Sequence, residues 1–213
     1  MKSQPVHFDV KKFPTFSLGS TSPLYRLYKH TRKGDATQSG WYFSSKGNPR
    51  SGRFDLPVPH GTCYFSTEKF GAWTETFRGA AIVNSADVDC RTLLSAICKS
   101  EINLASMTDR RAAKFGVNMD LFTGDDYHRP QEWAQAFFTA KFEGLIALLR
   151  HDPSARARNV GIFGKTGAVA RLTGWQTSRT SPSMDAGLLQ DLREVGLSVL
   201  DVPNHVAITP FTE

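Results

Sequence analysis

The sequence has few of the residues that metal centres and disulfide frameworks require. Its three cysteines, Cys63, Cys90 and Cys98, form no Cys-x-x-Cys pair, and an odd count without such a pair argues against a disulfide framework or a zinc site. Six histidines are dispersed along the chain, and none makes a metal-spaced pair such as i, i+4 on a helix. We therefore expect no metal, and the cysteine usage is typical of a reducing cytosol.

Long apolar runs and nucleophile motifs are also missing. No stretch approaches the roughly 18 apolar residues that a membrane span needs. The first twelve residues are polar and contain Pro5, His7 and Asp9, so no secretory signal is predicted. There is no Gly-x-Ser-x-Gly elbow, and the segment 161–167 lacks the spacing of a phosphate-binding loop. A cytoplasmic location without membrane contact is the expectation.

Charge of one sign is in modest excess. The chain has 26 Lys and Arg against 20 Asp and Glu, a net charge of +6. This balance favours anionic partners, although a plain basic surface explains it equally well. No run of five like charges marks a nucleic-acid arm. Direct binding to nucleic acid is therefore not expected.

The composition is that of an ordinary globular protein. Of the 213 residues, 40% are hydrophobic and 22% charged, for which one domain is the default. We predict an N-terminal arm over 1–20 and a catalytic domain over 21–213, with its motifs in 24–167. Short strands mixed with helices indicate an α+β fold with a mixed sheet and surrounding helices.

The pattern of apolar and turn residues predicts the individual elements. Residues 29–52 are interpreted as a long loop, 79–83 as a strand or a helix end, and 169–172 as an extension of the sheet. Strands are predicted at 23–28, 62–66, 103–108, 143–149, 159–164 and 197–202, and helices at 87–98, 131–141, 183–195 and through Glu75, the last with Ser66 or Thr67 as N-cap.

Three chemically useful side chains follow one another at equal spacing. Arg53, Tyr64 and Glu75 are eleven residues apart each way. The tyrosine lies on a predicted buried strand, the glutamate on the helix after it, and the arginine in the loop before it. An arginine, an aromatic hydroxyl and a carboxylate in one cleft suit an anionic sugar-phosphate ligand.

These residues belong to a longer series of motifs, and the sequence resembles the RES-domain family, the toxin half of bacterial RES–Xre toxin–antitoxin pairs. The resemblance covers roughly residues 20–167, about two thirds of the chain. It rests on the order and spacing of the following segments: Leu24-Tyr25-Arg26-Leu27, Gly52-Arg53-Phe54-Asp55, Gly61-Thr62-Cys63-Tyr64-Phe65-Ser66, Ala72-Trp73-Thr74-Glu75, Gln131-Glu132-Trp133-Ala134, Phe142-Glu143-Gly144-Leu145, Arg150-His151-Asp152-Pro153 and Ile162-Phe163-Gly164.

The resemblance implies a fold related to ADP-ribosyltransferases and an enzyme that breaks the nicotinamide–ribose bond of NAD+ by hydrolysis or phosphorolysis. NAD+ would be the substrate, so no cofactor is expected. Arg26 and Arg53 would hold the phosphates, Tyr64 would position the nicotinamide riboside half, and Glu75 would stabilise the ribosyl cation. An Xre-type antitoxin would be the protein partner, and a homodimer stays open.

One residue departs from the family's pattern. The family carries a serine directly before the arginine that corresponds to Arg150, and this chain has Leu149 there. Ser154 is near in sequence but lies beyond Pro153. Two alternatives to NAD+ degradation therefore stay open: an ADP-ribosyltransferase that modifies a macromolecule, and a catalytically degenerate NAD-binding module.

Overall fold

An eight-stranded mixed sheet organises the fold. The structure is a computed structural model that describes residues 9–30, 38–47, 51–78, 80–194 and 196–201. The helices in this part of the chain are α1 (Lys69–Phe77), α2 (Ser85–Asp89), α3 (Asp120–Thr123), α4 (His128–Thr139) and α5 (Ala186–Glu194), with 3-10 turns at Val10–Lys12, Arg110–Phe115 and Pro182–Met184. The strands are β1 (Thr15–Leu18), β2 (Leu24–Lys29), β3 (Tyr42–Phe43), β4 (His60–Ser66), β5 (Ile82–Asn84), β6 (Arg91–Cys98), β7 (Ile102–Ser106), β8 (Gly144–Leu148), β9 (Arg158–Lys165), β10 (Gly167–Ala168), β11 (Trp175–Thr180) and β12 (Ser198–Leu200).

The strand order in the main sheet is β1-β7-β8-β9-β4-β2-β6-β11. Its neighbours are antiparallel except β7 and β8, which are parallel. Two small sheets, β10–β3 and β12–β5, lie outside it. This is the predicted α+β architecture, and the strands predicted around Tyr25, Tyr64, Leu104, Ile146 and Ile162 are all present.

The helix predicted over 87–98 is wrong beyond its first turn. Only Ser85–Asp89 is helical, and Arg91–Cys98 forms β6 between β2 and β11. Pairing on both edges and the burial of Leu93, Leu94 and Ala96 stabilise the strand. Helix propensity is a weak preference that such tertiary pairing overrides.

Other boundaries also differ from the sequence-based expectation. Thr15–Leu18 of the predicted arm is an edge strand that pairs with β7, and residues 1–8 lie outside the described part of the chain. The run 169–172 forms no strand and leads into a turn at 173–174 before β11. Helix α1 begins after Glu68, so Ser66 and Thr67 do not cap it. Much of the predicted loop 29–52 lies outside the described residues.

The hydrophobic core covers both faces of the sheet. One face packs against α4 through Phe13, Trp133 and Phe137. A second buried cluster, around Trp73, joins α1 and α5 to the sheet, and a third, around Phe65, lies on the opposite face. Apolar side chains are thus removed from water on both sides, and α1 is fixed close to the central strands.

The sheet is not evenly paired across its centre. Strand β4 pairs with β9 from His60 to Ser66, and β2 pairs with β6 along its whole length. Between β2 and β4, however, the only register pair is Tyr25 with Ser66. Farther along β4, Thr62 exchanges backbone hydrogen bonds with Ser44 instead. The two central strands therefore diverge and leave an opening in the middle of the sheet.

We predict that Asp185 stabilises the attachment of α5 to α1 in two separable ways. It accepts hydrogen bonds from Lys69 Nζ (2.6 Å) and from the backbone N–H of Leu188 (3.0 Å). Asp185→Ala removes both and should lower the free energy of unfolding by about 1–2 kcal/mol. Asp185→Asn can keep the cap and should cost less than about 1 kcal/mol. Urea denaturation at pH 7 compares the variants.

The ion pair also predicts a dependence on pH. The hydrogen bond from Lys69 lowers the pKa of Asp185 below its usual 3.8. A lowered folded-state pKa contributes stability above the unfolded value, and this contribution is lost as the pH falls through the folded value. The difference between wild type and Asp185→Asn should therefore shrink below about pH 3.8. Equal stabilities of Asp185→Ala and Asp185→Asn at pH 7 would contradict the capping role.

Candidate functional site

A cleft of about 570 Å³ lies where β2 and β4 diverge. Its walls come from β2, β4, α1, the segment 51–53 and the segments that follow α3 and β8. All four residues singled out from the sequence line it: Arg26, Arg53, Tyr64 and Glu75. The structure thus brings together side chains that are up to 49 positions apart, from 26 to 75, in the sequence.

Arg26 spans the opening between the two central strands. It projects from β2, and its Nη1 donates a 2.8 Å hydrogen bond to the backbone carbonyl of Tyr64 on β4. Its Nε is buried and has no hydrogen-bond partner among the described residues. An arginine at a cleft wall whose buried Nε–H is unused is suited to an anionic acceptor.

Tyr64 uses its hydroxyl to order the segment before β4. The hydroxyl donates to Asp55 Oδ1 (2.7 Å) and accepts from the backbone N–H of Phe54 (2.8 Å). Burial is the main cause that raises the pKa of Tyr64 well above its usual value. The charge of Asp55 and the hydrogen bond to Asp55 act in the same direction. The hydroxyl is therefore protonated at neutral pH and engaged with the protein, while the residue still lines the cleft.

Asp55 is completely buried and gathers several donors. Besides Tyr64, its carboxylate accepts from Ser44 Oγ (2.7 Å) and from the backbone N–H of Gly52 (2.6 Å). A side chain at position 52 would not fit, because an added Cβ would lie 2.6 Å from the Tyr64 hydroxyl. Glycine thus lets the backbone approach this pair closely, and the contact fixes the entry of Arg53 into the cleft.

Arg53 is held against the loop between α3 and α4. Its Nη1 donates to the Gly124 carbonyl (2.7 Å), and its guanidinium carbon lies 4.5 Å from the ring centre of Tyr127. Its Nη2 is buried without a partner among the described residues. Burial is the main cause that lowers the pKa of Arg53, with Arg150 acting in the same direction and Tyr127 and Glu75 against it. An arginine remains charged despite such a shift.

Glu75 lies on α1, which follows β4 after only two residues, Thr67 and Glu68. The short connection folds the helix back over the strand. One carboxylate oxygen, Oε1, is buried and has no hydrogen-bond partner among the residues described. A buried carboxylate oxygen without a donor is costly, and this one belongs to a residue that lines the cleft.

Other polar residues that were not predicted from the sequence also line the cleft, among them Ser66, Tyr127, Arg150 and Asn159. Arg150 forms a 2.9 Å ion pair with Asp125. Ser66 could have been found from its position two residues after Tyr64, which places both on one face of a strand. Tyr127 and Arg150 follow other elements, and no local pattern connects them with Arg53. His60 and His151 both flank motif segments of the sequence; His151 lines the cleft, whereas His60 packs against Phe138.

Leu149, which stands where the family has a serine, turns into the protein. Its side chain is buried with residues of α1 and α5 rather than in the cleft wall. Ser154 hydrogen-bonds Asp152 in a turn and does not line the cleft either. Ser66, by contrast, is one of the residues that line the cleft.

Within the described part of the chain, no group of three or more His, Cys, Asp or Glu side chains could hold a metal ion. In the same residues, no helix has both the length and the apolar character of a bilayer span. The side chains that line the cleft carry guanidinium, carboxylate, hydroxyl, amide and imidazole groups.

The fold and the cleft define an α+β protein with a basic pocket that one carboxylate, that of Glu75, lines. A family model described as "RES domain" matches residues 23–180, about three quarters of the chain, and the chain therefore belongs to the RES-domain family. That family consists of toxins of toxin–antitoxin pairs that act on NAD+.

The structure is also similar to a solved one. A chain of the M. tuberculosis MbcT–MbcA toxin–antitoxin complex superposes with a TM-score of 0.57 at 17% sequence identity, over 86% of this chain and 93% of that one. At this identity the similarity concerns the fold. A search of the curated proteins finds no match.

We predict that Tyr64→Phe destabilises the protein by about 1–3 kcal/mol, because it leaves Asp55 Oδ1 and the Phe54 N–H without a buried partner. The free energy of unfolding in urea measures the effect. Tyr25→Phe is the control, since its hydroxyl makes no hydrogen bond with the described residues and its loss should cost less than about 0.5 kcal/mol. Equal losses in the two variants would contradict a structural role for the Tyr64 hydroxyl.

Proposed function

We propose that the protein cleaves the nicotinamide–ribose bond of NAD+. The observation that carries this proposal is the set of buried polar atoms in the cleft that lack a partner. Arg26 Nε and Arg53 Nη2 are unused donors, and Glu75 Oε1 is an unused acceptor. A ligand that presents phosphate oxygens to the donors and hydroxyl groups to the carboxylate satisfies all three. A dinucleotide has this combination.

Glu75 would act on the ribose. Breaking the N-glycosidic bond develops positive charge on the sugar, as in glycoside hydrolysis. Nicotinamide leaves as a neutral molecule, so the departing group needs no proton from a general acid. A carboxylate near the developing cation, in a cleft partly shielded from water, stabilises the transition state more than the ground state.

Arg26 and Arg53 would bind the pyrophosphate. Each guanidinium is anchored by one backbone carbonyl and keeps another buried N–H free among the described residues. The anchors reduce the side-chain freedom that binding would otherwise remove. Tyr64 would hold the Arg53 segment and present its ring to the nicotinamide riboside half.

The partner of such a toxin would be an antitoxin that covers the cleft. The similar solved structure is a toxin–antitoxin complex by its title, and the basic charge of this chain favours an acidic segment. We propose a DNA-binding antitoxin of Xre type whose tail enters the cleft and keeps NAD+ out.

Glu75→Gln tests the reaction. The amide keeps the size of the side chain and removes the charge, so nicotinamide release from NAD+ should fall by about 100-fold or more. Release is measured chromatographically with the purified chain, with and without phosphate. Dependence on phosphate identifies phosphorolysis, and independence identifies hydrolysis. Glu68→Gln, an exposed glutamate just before the same helix, is the matched control and should retain activity.

Two results would replace the proposal. Transfer of label from NAD+ to a macromolecule, without free ADP-ribose, would indicate an ADP-ribosyltransferase. Binding of NAD+ in calorimetry without nicotinamide release by the wild type would indicate a binding module. Absence of both binding and release would contradict NAD+ as the ligand.

Expression in a bacterial host tests the toxin role separately. Because the proposed reaction consumes NAD+, induction of the wild type should lower cellular NAD+ and stop growth, and Glu75→Gln should do neither. Growth curves and an enzymatic NAD+ assay of cell extracts measure both effects at matched protein levels. Growth arrest that is the same with Glu75→Gln would show that toxicity has another cause.

A further inference from the structure

Ser66 is a polar group of the cleft that has no role in the proposed reaction so far. It is the last residue of β4, lines the cleft and is only 1% exposed. It lies two residues after Tyr64, so both side chains leave the strand on the same face. Its neighbours across the ladder are Tyr25 and Asn159, which line the cleft as well.

The hydrogen bonding of Ser66 is incomplete. Its Oγ accepts a 3.2 Å hydrogen bond from the backbone N–H of Glu68. Its own O–H has no acceptor among the described residues. A buried hydroxyl normally finds one, because an unsatisfied donor costs free energy. The unused proton therefore needs an acceptor from outside this part of the chain.

The packing around Gly71 of α1 supplies no acceptor for that proton. A Cβ added to Gly71 of α1 would lie 2.3 Å from Ser66 Oγ, 2.7 Å from Ala157 Cβ and 2.8 Å from Leu149 Cδ1. The absence of a side chain at Gly71 thus lets α1 rest directly on the serine. Ala157 and Leu149 close this side with carbon atoms, which accept no hydrogen bond. Because Ser66 lines the cleft, a ligand bound there can supply the acceptor.

Glu75 is the complementary group on the same helix. It follows Gly71 by four residues, which places both on one face of α1, one turn apart. Glu75 Oε1 lacks a donor and Ser66 O–H lacks an acceptor, and no hydrogen bond joins them. A pair of neighbouring hydroxyl groups, one donating to Glu75 and one accepting from Ser66, would satisfy both residues.

We propose that Ser66 and Glu75 together bind the cis-diol of a ribose, with Ser66 donating to one hydroxyl and Glu75 accepting from the other. This inference rests on the proposed function and specifies the ribose next to nicotinamide as the sugar bound. Leu149 does not line the cleft and contributes no hydroxyl to it.

The test combines a variant with altered substrates. Ser66→Ala should reduce kcat/KM for nicotinamide release about tenfold, which corresponds to one lost hydrogen bond to substrate. NAD+ analogues that lack the 2′- or the 3′-hydroxyl of the nicotinamide ribose are then compared. One of the two should be cleaved equally by wild type and Ser66→Ala, because the partner of the serine is already missing. A purely structural effect of the variant would lower the rates for all three substrates by the same factor.

Ser106→Ala is the matched control. Ser106 is a buried serine, 5% exposed, at the end of β7 and outside the cleft wall. Its substitution should leave kcat/KM for NAD+ and for both analogues unchanged. Thermal unfolding of both variants verifies that they are folded.

Calorimetry with ADP-ribose separates failure of the inference from failure of the proposed function. If the wild type cleaves NAD+ and Ser66→Ala equals it with all three substrates, the inference is wrong and the proposed function stands. If the wild type releases no nicotinamide but binds ADP-ribose, about tenfold weaker binding by Ser66→Ala supports the inference alone. If ADP-ribose does not bind to the wild type, both the diol site at Ser66 and Glu75 and the binding of ribose-containing ligands to this cleft are contradicted.

Discussion

The divergence of β2 from β4 is the constraint on which the candidate site depends. A sheet that opens in its centre leaves backbone groups without a ladder partner, and buried backbone groups must be satisfied. Arg26 satisfies the Tyr64 carbonyl, and Ser44 pairs with Thr62. Arg26, whose positive charge enters the cleft, therefore also links the two central strands by a hydrogen bond. Removing it would change the strand separation as well as the charge.

The polar groups around the cleft fall into two kinds. Asp55 and the Tyr64 hydroxyl are saturated with partners and hold the segment that carries Arg53. Of five unpartnered buried side-chain atoms in the described residues, three belong to cleft residues, Arg26, Arg53 and Glu75. Fixed donors and acceptors without partners cost stability and preorganise a site for charge. The saturated groups keep the unsaturated ones in place.

What could be predicted from the sequence was local. The strand with Tyr64 and the helix with Glu75 follow from apolar patterning, and the family motifs add Arg26 and Arg53. The failure at 91–98 has a long-range cause, since β6 is a strand through its neighbours β2 and β11. Arg150 and Tyr127 were missed for the same reason, because they reach Arg53 through loops after separate elements. Periodicity carries no information on such contacts.

Which residue can bring a hydroxyl group to the cleft depends on how the surrounding side chains pack, and a serine at position 149 is not required for it. Leu149 packs under α1, where Gly71 gives it room, and the space that remains beside Gly71 holds Ser66 Oγ. A serine at position 149 would remove apolar packing between Leu149 and helices α1 and α5. It would also place a second hydroxyl among apolar side chains. The packing therefore links Leu149, Gly71 and Ser66. For this reason the leucine at position 149 does not by itself indicate a catalytically degenerate site.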